Sequence, residues 1–309
     1  MEDGLYYPDG TFKSSKQIRY ENLDDPVLLR EQAGNRQPTF YEWVDEFARR
    51  RDLKDDVEGI PEEIDIRIDT NEPIIIGLIG DPHLGAYEAD YELLAHDISF
   101  IAKQKNAFVI FGGDVIDGFF FNPAQDEMIA SFNQQRQFNN SMIKEVGIDK
   151  ILYMEMGDHD MWSGKTGVNI FDELRDELRI PIVRGSTKVN LDVSDVRYRI
   201  VSAHQLPGHS MYNLTHPENR ESKFGTQGGD IYIGWHTHQK AISRQVVNTF
   251  EGDLEQVYVS NGAYKYSDSY SKKKGWSKQG EKKRGAVFLR LHPFEKQIDA
   301  FYTAEETVR

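Results

Sequence analysis

The chain has 309 residues, 39% of them hydrophobic and 28% charged, with a formal net charge of −14. That composition is the one expected of a soluble globular protein with a full core, and the acidic balance argues against a generic nucleic-acid coat. There are no cysteines, which excludes disulfides, thiolate metal sites and a cysteine nucleophile, and leaves His, Asp, Glu and Asn as the side chains able to hold a metal.

The first residues, "MEDGLYYPDG", have neither a basic nor an apolar leader segment, and no apolar run approaches the roughly 20 residues of a membrane span. The expected compartment is therefore the reducing cytoplasm, with no membrane contact. Residues 1–72 hold 10 Lys+Arg against 19 Asp+Glu, a balance of −9, whereas residues 73–309 hold 27 against 32, a balance of −5. The chain is expected to divide there, into an acidic N-terminal extension over 1–72 and a main domain over 73–309. Residues 1–37 of the extension are polar and turn-rich. "PTFYEWVDEFARRR" (38–51) follows, with Phe40, Trp43, Val44 and Phe47 at i, i+3, i+4 and i+7. This spacing predicts one amphipathic helix, and Thr39 with Glu42 predicts its capping box. The apolar face would dock on the main domain or on a protein partner.

From residue 73 the pattern is α/β. Five apolar runs read as buried strands: "IIIGLIG" (74–80), "FVIFGG" (108–113), "ILYMEMG" (151–157), "YRIVSA" (198–203) and "IYIG" (231–234). Helical periodicity appears at 91–104, 126–146 and 169–178. After 180 the β pattern dominates, in "KVNLDV", "RQVVNTF", "QVYVS", "AVFLRLH" and "QIDAFYT". Mixed sheets packed face to face with helices outside accommodate this order.

Each of the five runs is followed by residues able to bind a divalent metal. The first is followed by Asp81 and His83, the second by Asp114 and Asp117, and the third by Asp158, His159 and Asp160. The fourth is followed by His204, and the fifth by His236 and His238, which share one side of an extended chain. In open α/β sheets sites form beyond the carboxyl ends of strands, so five strand ends would deliver these groups to one crevice. Carboxylate and imidazole without thiolate suit Mn, Fe, Zn or Ni, with Mn²⁺ the first expectation. The ligands outnumber what one ion needs, and a pair of ions sharing a carboxylate would use them.

Taken together, "GDPHLG", "GGDVID", "GDHD", "AHQ" and "GWHTH" resemble the calcineurin-like metallophosphoesterase superfamily. The resemblance implies a four-layer αββα sandwich: two β-sheets flanked by helices. It also implies a dinuclear centre in which Asp81, His83 and His238 hold one ion, Asp158, His204 and His236 hold the other, and Asp114 bridges them. His159 would contact the phosphate and protonate the leaving oxygen, while Asp117 and Asp160 orient neighbours. Two departures stand out: Asp158 occupies a position where the family usually has Asn, and Trp235 is inserted before the first histidine of the last motif. The opening motif is similar to that of the DNA-repair exonucleases in the superfamily, and the overall pattern resembles phage-encoded phosphoesterases.

Two other features bear on substrate. The stretch "KKKGWSKQGEKKR" (272–284) has seven basic residues and one acid. Lys272, Lys273, Lys274 and Trp276 offer the cations and the aromatic face that a single-stranded nucleic acid needs. His209, close behind His204, is a further candidate for the pocket wall. "SGKT" (163–166) lacks the earlier glycine of a phosphate-binding loop, because position 159 is a histidine. The expected activity is hydrolysis of phosphodiesters in nucleic acid or nucleotides. The alternatives are a protein or nucleotide phosphomonoesterase and a non-catalytic scaffold of the same fold.

Overall fold

A computed structural model describes residues 39–58, 61–119, 127–163, 170–171, 174, 178–249, 252–267, 272–273 and 280–308. The chain falls into two units, Met1–Ile60 and Pro61–Arg309. In the first, helix α1 spans Phe40–Glu58. Its start follows from the expected capping box: Glu42 N donates to Thr39 Oγ1 at 3.3 Å, and Thr39 N donates to Glu42 Oε2 at 2.7 Å. Trp43 and Phe47, one turn apart, stack at 5.3 Å, and Phe40, Tyr41, Val44 and Phe47 are exposed.

The second unit begins before the charge-based boundary at 72/73. Strand β1 (Glu63–Ile68) pairs in parallel with β6 (Thr187–Val193), so it belongs to this unit. Its sequence, EIDIRI, alternates apolar and charged residues. The isoleucines pack partly buried against the core while the acids and the arginine face outward, and this outward face gave the segment its acidic character.

One six-stranded sheet has the order β12-β11-β2-β3-β4-β5, with β2 at Ile74–Ile79, β3 at Ala107–Phe111, β4 at Ile151–Glu155, β5 at Ile182–Val183, β11 at Val287–Leu291 and β12 at Ile298–Phe301. The other has the order β1-β6-β7-β8-β10-β9, with β7 at Val196–Ala203, β8 at Ile231–Gly234, β9 at Ala241–Thr249 and β10 at Gly252–Ser260. Strands β2, β3 and β4 run parallel, as do β7 and β8. Their carboxyl ends therefore lie on one side of each sheet.

Period-2 alternation sorts the core into layers. Ile74, Ile76 and Leu78 of β2 pack with Val189, Leu191, Ile200, Ile231 and Val257, filling the space between the sheets. Ile75 and Ile79 face the other way, toward Leu94, Ile98 and Ile101 of α2 (Tyr91–Lys103) and Met142, Ile143 and Val146 of α3 (Phe132–Val146). Helix α3 starts later than the periodicity at 126 suggests, because Ser131 caps it through a reciprocal bond with Gln134. Of the periodic segment 169–178, residues 170, 171 and 174 are helical and buried, and most of the rest lies outside the described residues. On the far face of the second sheet, Val201, Tyr232 and Tyr258 form a small cluster. Helix α5 (His216–Phe224) covers it, with Ser222 Oγ 3.2 Å from Tyr258 Oη. The result is helix, sheet, sheet, helix.

Two buried polar bridges fix the sheets relative to each other. Asn261, just after β10, donates to the Leu78 carbonyl at 2.8 Å and accepts from Val287 N at 2.8 Å, which ties it to β2 and β11. Tyr153 Oη donates to Ser202 Oγ at 2.8 Å, and Ser202 Oγ donates to Glu155 Oε1 at 2.6 Å. Burial pushes the Glu155 carboxyl up to about 8 against the lowering effects of Ser202 and His204. No helix of the described residues is long and apolar enough to cross a membrane.

Candidate metal centre

The loops after β2, β3, β4, β7 and β8 meet where the two sheets come together. Backbone bonds register the first two: Asp81 N donates to Gly113 O at 3.0 Å, His83 N to Asp114 O at 3.1 Å and Leu84 N to Val115 O at 2.8 Å. The third is held by Asp160, which accepts from Gly157 N at 3.1 Å and Ile116 N at 3.2 Å. Helix α4 (Asp158–Trp162) starts there and carries His159. The last loop is joined to the first, since His236 N donates to Asp81 Oδ2 at 3.1 Å.

These loops are conformationally costly. Among the described residues, seven non-glycine residues have positive φ, and five of them are Asp81, His83, Asp114, His236 and His238, with φ between 45° and 65°. Left-handed backbone at ordinary residues costs on the order of 1–3 kcal/mol each and gathers where function over-determines geometry. The glycines beside them permit close approach. A Cβ on Gly157 would lie 2.1 Å from Asp114 N, and one on Gly80 or Gly112 would lie 1.9 or 2.1 Å from the Trp235 ring. Trp235, 1% exposed, is thus a wedge seated on two glycines of the opposite sheet. The inserted tryptophan keeps the two halves of the crevice in contact while leaving His236 and His238 two residues apart.

The side chains form three groups able to hold an ion, of which the first and third share His83: Asp81, His83 and His238; Asp114, His204 and His236; and His83, Asp117 and His159. In the first, His238 Nε2 is 3.2 Å from Asp81 Oδ1 and 3.4 Å from His83 Nε2. In the second, His204 Nε2 is 3.3 Å from Asp114 Oδ2. That same oxygen is 3.8 Å from His83 Nε2 and 4.0 Å from His159 Nε2, so Asp114 is central to both. Asp158 stands further out, its side chain 42% exposed, with Oδ2 3.9 Å from His236 Nδ1.

Tautomers follow from the outer contacts. His204 Nδ1 lies 2.7 Å from the Gly112 carbonyl, which can only accept, so Nε2 is left for the crevice. His159 Nδ1 likewise contacts the Asp117 carbonyl, while its backbone N donates to Asp114 Oδ1 at 2.8 Å. His83 Nδ1 lies 3.3 Å from Asp117 Oδ1 but is buried without a hydrogen-bond partner, so no such contact fixes its tautomer.

The site fits divalent cations. Asp81 and Asp114 are at most 1% exposed, and Asp81 Oδ1 and His204 Nε2 are buried without a hydrogen-bond partner. Burial acts against the His204 cation, but the Asp114 and Asp81 carboxylates outweigh it and push this imidazole up to about 10. Burial likewise opposes the Asp114 anion, yet the His204 and His159 imidazoles hold it below the usual carboxylate range. His83 is driven the other way, first by burial and then by the His159 and Lys265 charges, and stays neutral, the form that ligates. Two buried carboxylates thus draw positive charge to the place where a cation would sit.

The calcineurin-like phosphoesterase family matches residues 74–240, more than half of the chain. The chain belongs to this family. No curated protein matches its sequence. Similar solved structures include Vacuolar Protein Sorting 29 from Cryptosporidium parvum (13% identity, TM-score 0.37, covering 74% of this chain and 97% of that one). A metallophosphoesterase from Sphaerobacter thermophilus matches at 13% identity and TM-score 0.36 over 74% of this chain and 87% of its own. The nuclease MPE of Pseudomonas putida matches at 12% identity and TM-score 0.32, over 73% and 87%.

Of the other expected site residues of this phosphoesterase, His209 is exposed, as are Lys272 and Lys273. Lys272 Nζ pairs with Glu88 Oε1 at 3.0 Å. Lys274 and Trp276 lie outside the described residues. Two further neighbours of the crevice, Trp162 and Lys265, went unread in the sequence, whereas a third, Phe119, belongs to "GFFF" (118–121), whose position after the second metal loop allows either base stacking or buried packing. The rings of Phe119 and Trp162 lie 4.6 and 4.4 Å from that of His159. Lys265, 4% exposed, places Nζ 2.9 Å from Asp117 Oδ1. Nothing local marks Lys265, although a lone lysine in "NGAYKYS", directly after a buried strand, is a signal of a kind.

Proposed function

We propose that this phosphoesterase is a dinuclear-metal-dependent hydrolase of phosphodiester bonds in nucleic acid or nucleotides. The observation that carries the metal-dependent reading is the placement of Asp114 Oδ2 within 4.0 Å of His83, His159 and His204, so that one carboxylate serves both ligand groups. In this reading Asp81, His83 and His238 hold one ion and His204, His236 and Asp158 the other, with Asp114 shared and Mn²⁺ the favoured metal on ligand softness. The chemistry such a pair supplies when bound is a lowered pKa for water and compensation of charge on the phosphoryl oxygens.

The chain's own residues do the rest. His159, its Nδ1 proton engaged by the Asp117 carbonyl, turns Nε2 toward Asp114 and delivers a proton from there to the leaving oxygen. Phe119 and Trp162 wall that imidazole and exclude water from it. Asp160 holds the backbone of both neighbouring loops. The diester preference rests on the basic and aromatic segment 272–284, which would track a single strand. The apolar residues of α1, Phe40, Trp43, Val44 and Phe47, would dock on the main domain or on a protein partner.

The test is a panel of phosphate esters with the Mn²⁺-loaded protein. A bis-aryl diester should turn over faster than the mono-aryl ester. The reverse order would favour the phosphomonoesterase, and no turnover with Mn²⁺, Fe²⁺, Zn²⁺ or Ni²⁺ would favour the scaffold. Replacing Lys272, Lys273 and Lys274 by Glu should raise KM for an oligonucleotide and leave KM for the aryl ester unchanged.

A further inference from the structure

The loop after β2 carries an exposed rim beside the crevice that the metal cage does not use. Residues 85–87 and 127–129 form a short antiparallel ladder: Ala86 pairs with Met128, Tyr87 N donates to Glu127 O at 2.9 Å, and Ile129 N donates to Gly85 O at 2.8 Å. Side chains alternate across such a ladder. Ala86 turns inward and is 1% exposed, while Tyr87 and Ile129 share the outer face at 69% and 61% exposure. As diagonal neighbours they lie within reach of each other. The rim is close to the cage. Ala86 N donates to His83 O at 3.0 Å, which closes a turn. Such a turn keeps its end Cα atoms within about 7 Å, and one further residue adds about 3.8 Å, so Tyr87 stands within roughly 11 Å of His83.

The residues that follow Tyr87 anchor both ends of the basic segment 272–284. Lys272 Nζ pairs with Glu88 Oε1 at 3.0 Å, and Arg284 pairs with Asp90 while its guanidinium lies 5.0 Å over the Tyr266 ring. Those two cations are offset by their acids, whereas Lys273, Lys282 and Lys283 are exposed and supply the attraction for phosphates. We propose that Tyr87, with Ile129, is a platform on which one base of a single strand stacks beside the scissile phosphate, which makes Tyr87 a specificity-determining residue. A ring face set among lysines is what a single strand needs. Backbone bonds on both sides of Tyr87 hold it in place, so little ordering is left to be done on binding. The proposal rests on the nucleic-acid reading of the substrate, and its test separates the two.

The probe is a fluorescently labelled oligothymidylate, titrated with Mn²⁺-loaded protein in a His159→Asn background so that the strand survives the measurement. In that background Tyr87→Ala should melt near the temperature of the Tyr87 protein, because the exposed ring packs little. It should bind the strand roughly 5–150-fold more weakly, the worth of one stacked base, while Tyr87→Phe should bind as Tyr87 does. The salt dependence should keep its slope, since no phosphate contact is lost. A strand of equal length without bases should bind the Tyr87 and Tyr87→Ala proteins alike. Undiminished affinity in Tyr87→Ala, an equal loss on the base-free strand, or no binding of the strand by the Tyr87 protein would each overturn the proposal. Were the strand bound through Tyr87 yet no ester hydrolysed by the His159 protein, the hydrolase reading would fail and the platform would stand. Hydrolysis of an aryl diester by a protein that binds no strand would remove the platform and keep the hydrolase.

Discussion

The two sheets contribute different chemistry to the same crevice. The sheet built on β2, β3 and β4 supplies every carboxylate, Asp81, Asp114, Asp117, Asp158 and Asp160, together with His83 and His159. The sheet built on β7 and β8 supplies imidazoles alone, His204, His236 and His238. The first half is anionic and rigidly bonded through its backbone. The second half answers it with groups that can be neutral or cationic. A centre made this way exists only while the sheets keep their relative position, so the packing that holds them is part of the site. Trp235 on Gly80 and Gly112, and Asn261 between β10, β2 and β11, are where that packing is most exacting.

The largest expected effect breaks the chemistry of the first half without touching the joint. His159→Asn should lower turnover about 10²–10⁴-fold, the usual worth of a general acid, with metal content by elemental analysis unchanged. A parallel loss of metal would instead make His159 a ligand. Next comes the joint itself. Gly112→Ala forces a Cβ to within 2.1 Å of the Trp235 ring, and overpacking of this kind costs about 1–3 kcal/mol. Melting should therefore fall, and the added change Trp235→Leu should restore part of it; no recovery would mean that the wedge is not the cause.

The smallest effect concerns pH. Glu155, under the joint, is pushed up to about 8, so the folded protein keeps a proton that the unfolded chain has lost. The stability this contributes is complete below the ordinary carboxylate range and is lost as pH rises through about 8. With metal chelated, Glu155→Gln should flatten the fall in melting temperature across that window. Glu218, also pushed up to about 8 by burial, should leave a residual slope.

The sequence makes some parts of this molecule plain and hides others for physical reasons. Strands β2, β3, β4, β7 and β8 are legible because strands buried on both faces read as apolar runs, and the metal-capable residues are legible because each follows directly on such a run. Strand β1 is hidden because an edge strand with one solvated face looks like acidic linker. Helix α5 is hidden because its buried face carries Glu218, Asn219, Glu221 and Ser222 rather than apolar side chains. Lys265 is hidden because its partner Asp117 lies 148 residues earlier in the chain. Left-handed backbone at Asp81, His83, Asp114, His236 and His238 leaves no trace in residue type, since glycine would have been the locally cheaper choice.

The most direct measurement is anomalous scattering from a crystal soaked in Mn²⁺. The account predicts two peaks, one among Asp81, His83 and His238 and one among Asp158, His204 and His236, with Asp114 between them. A single peak, or peaks away from Asp114, would contradict it.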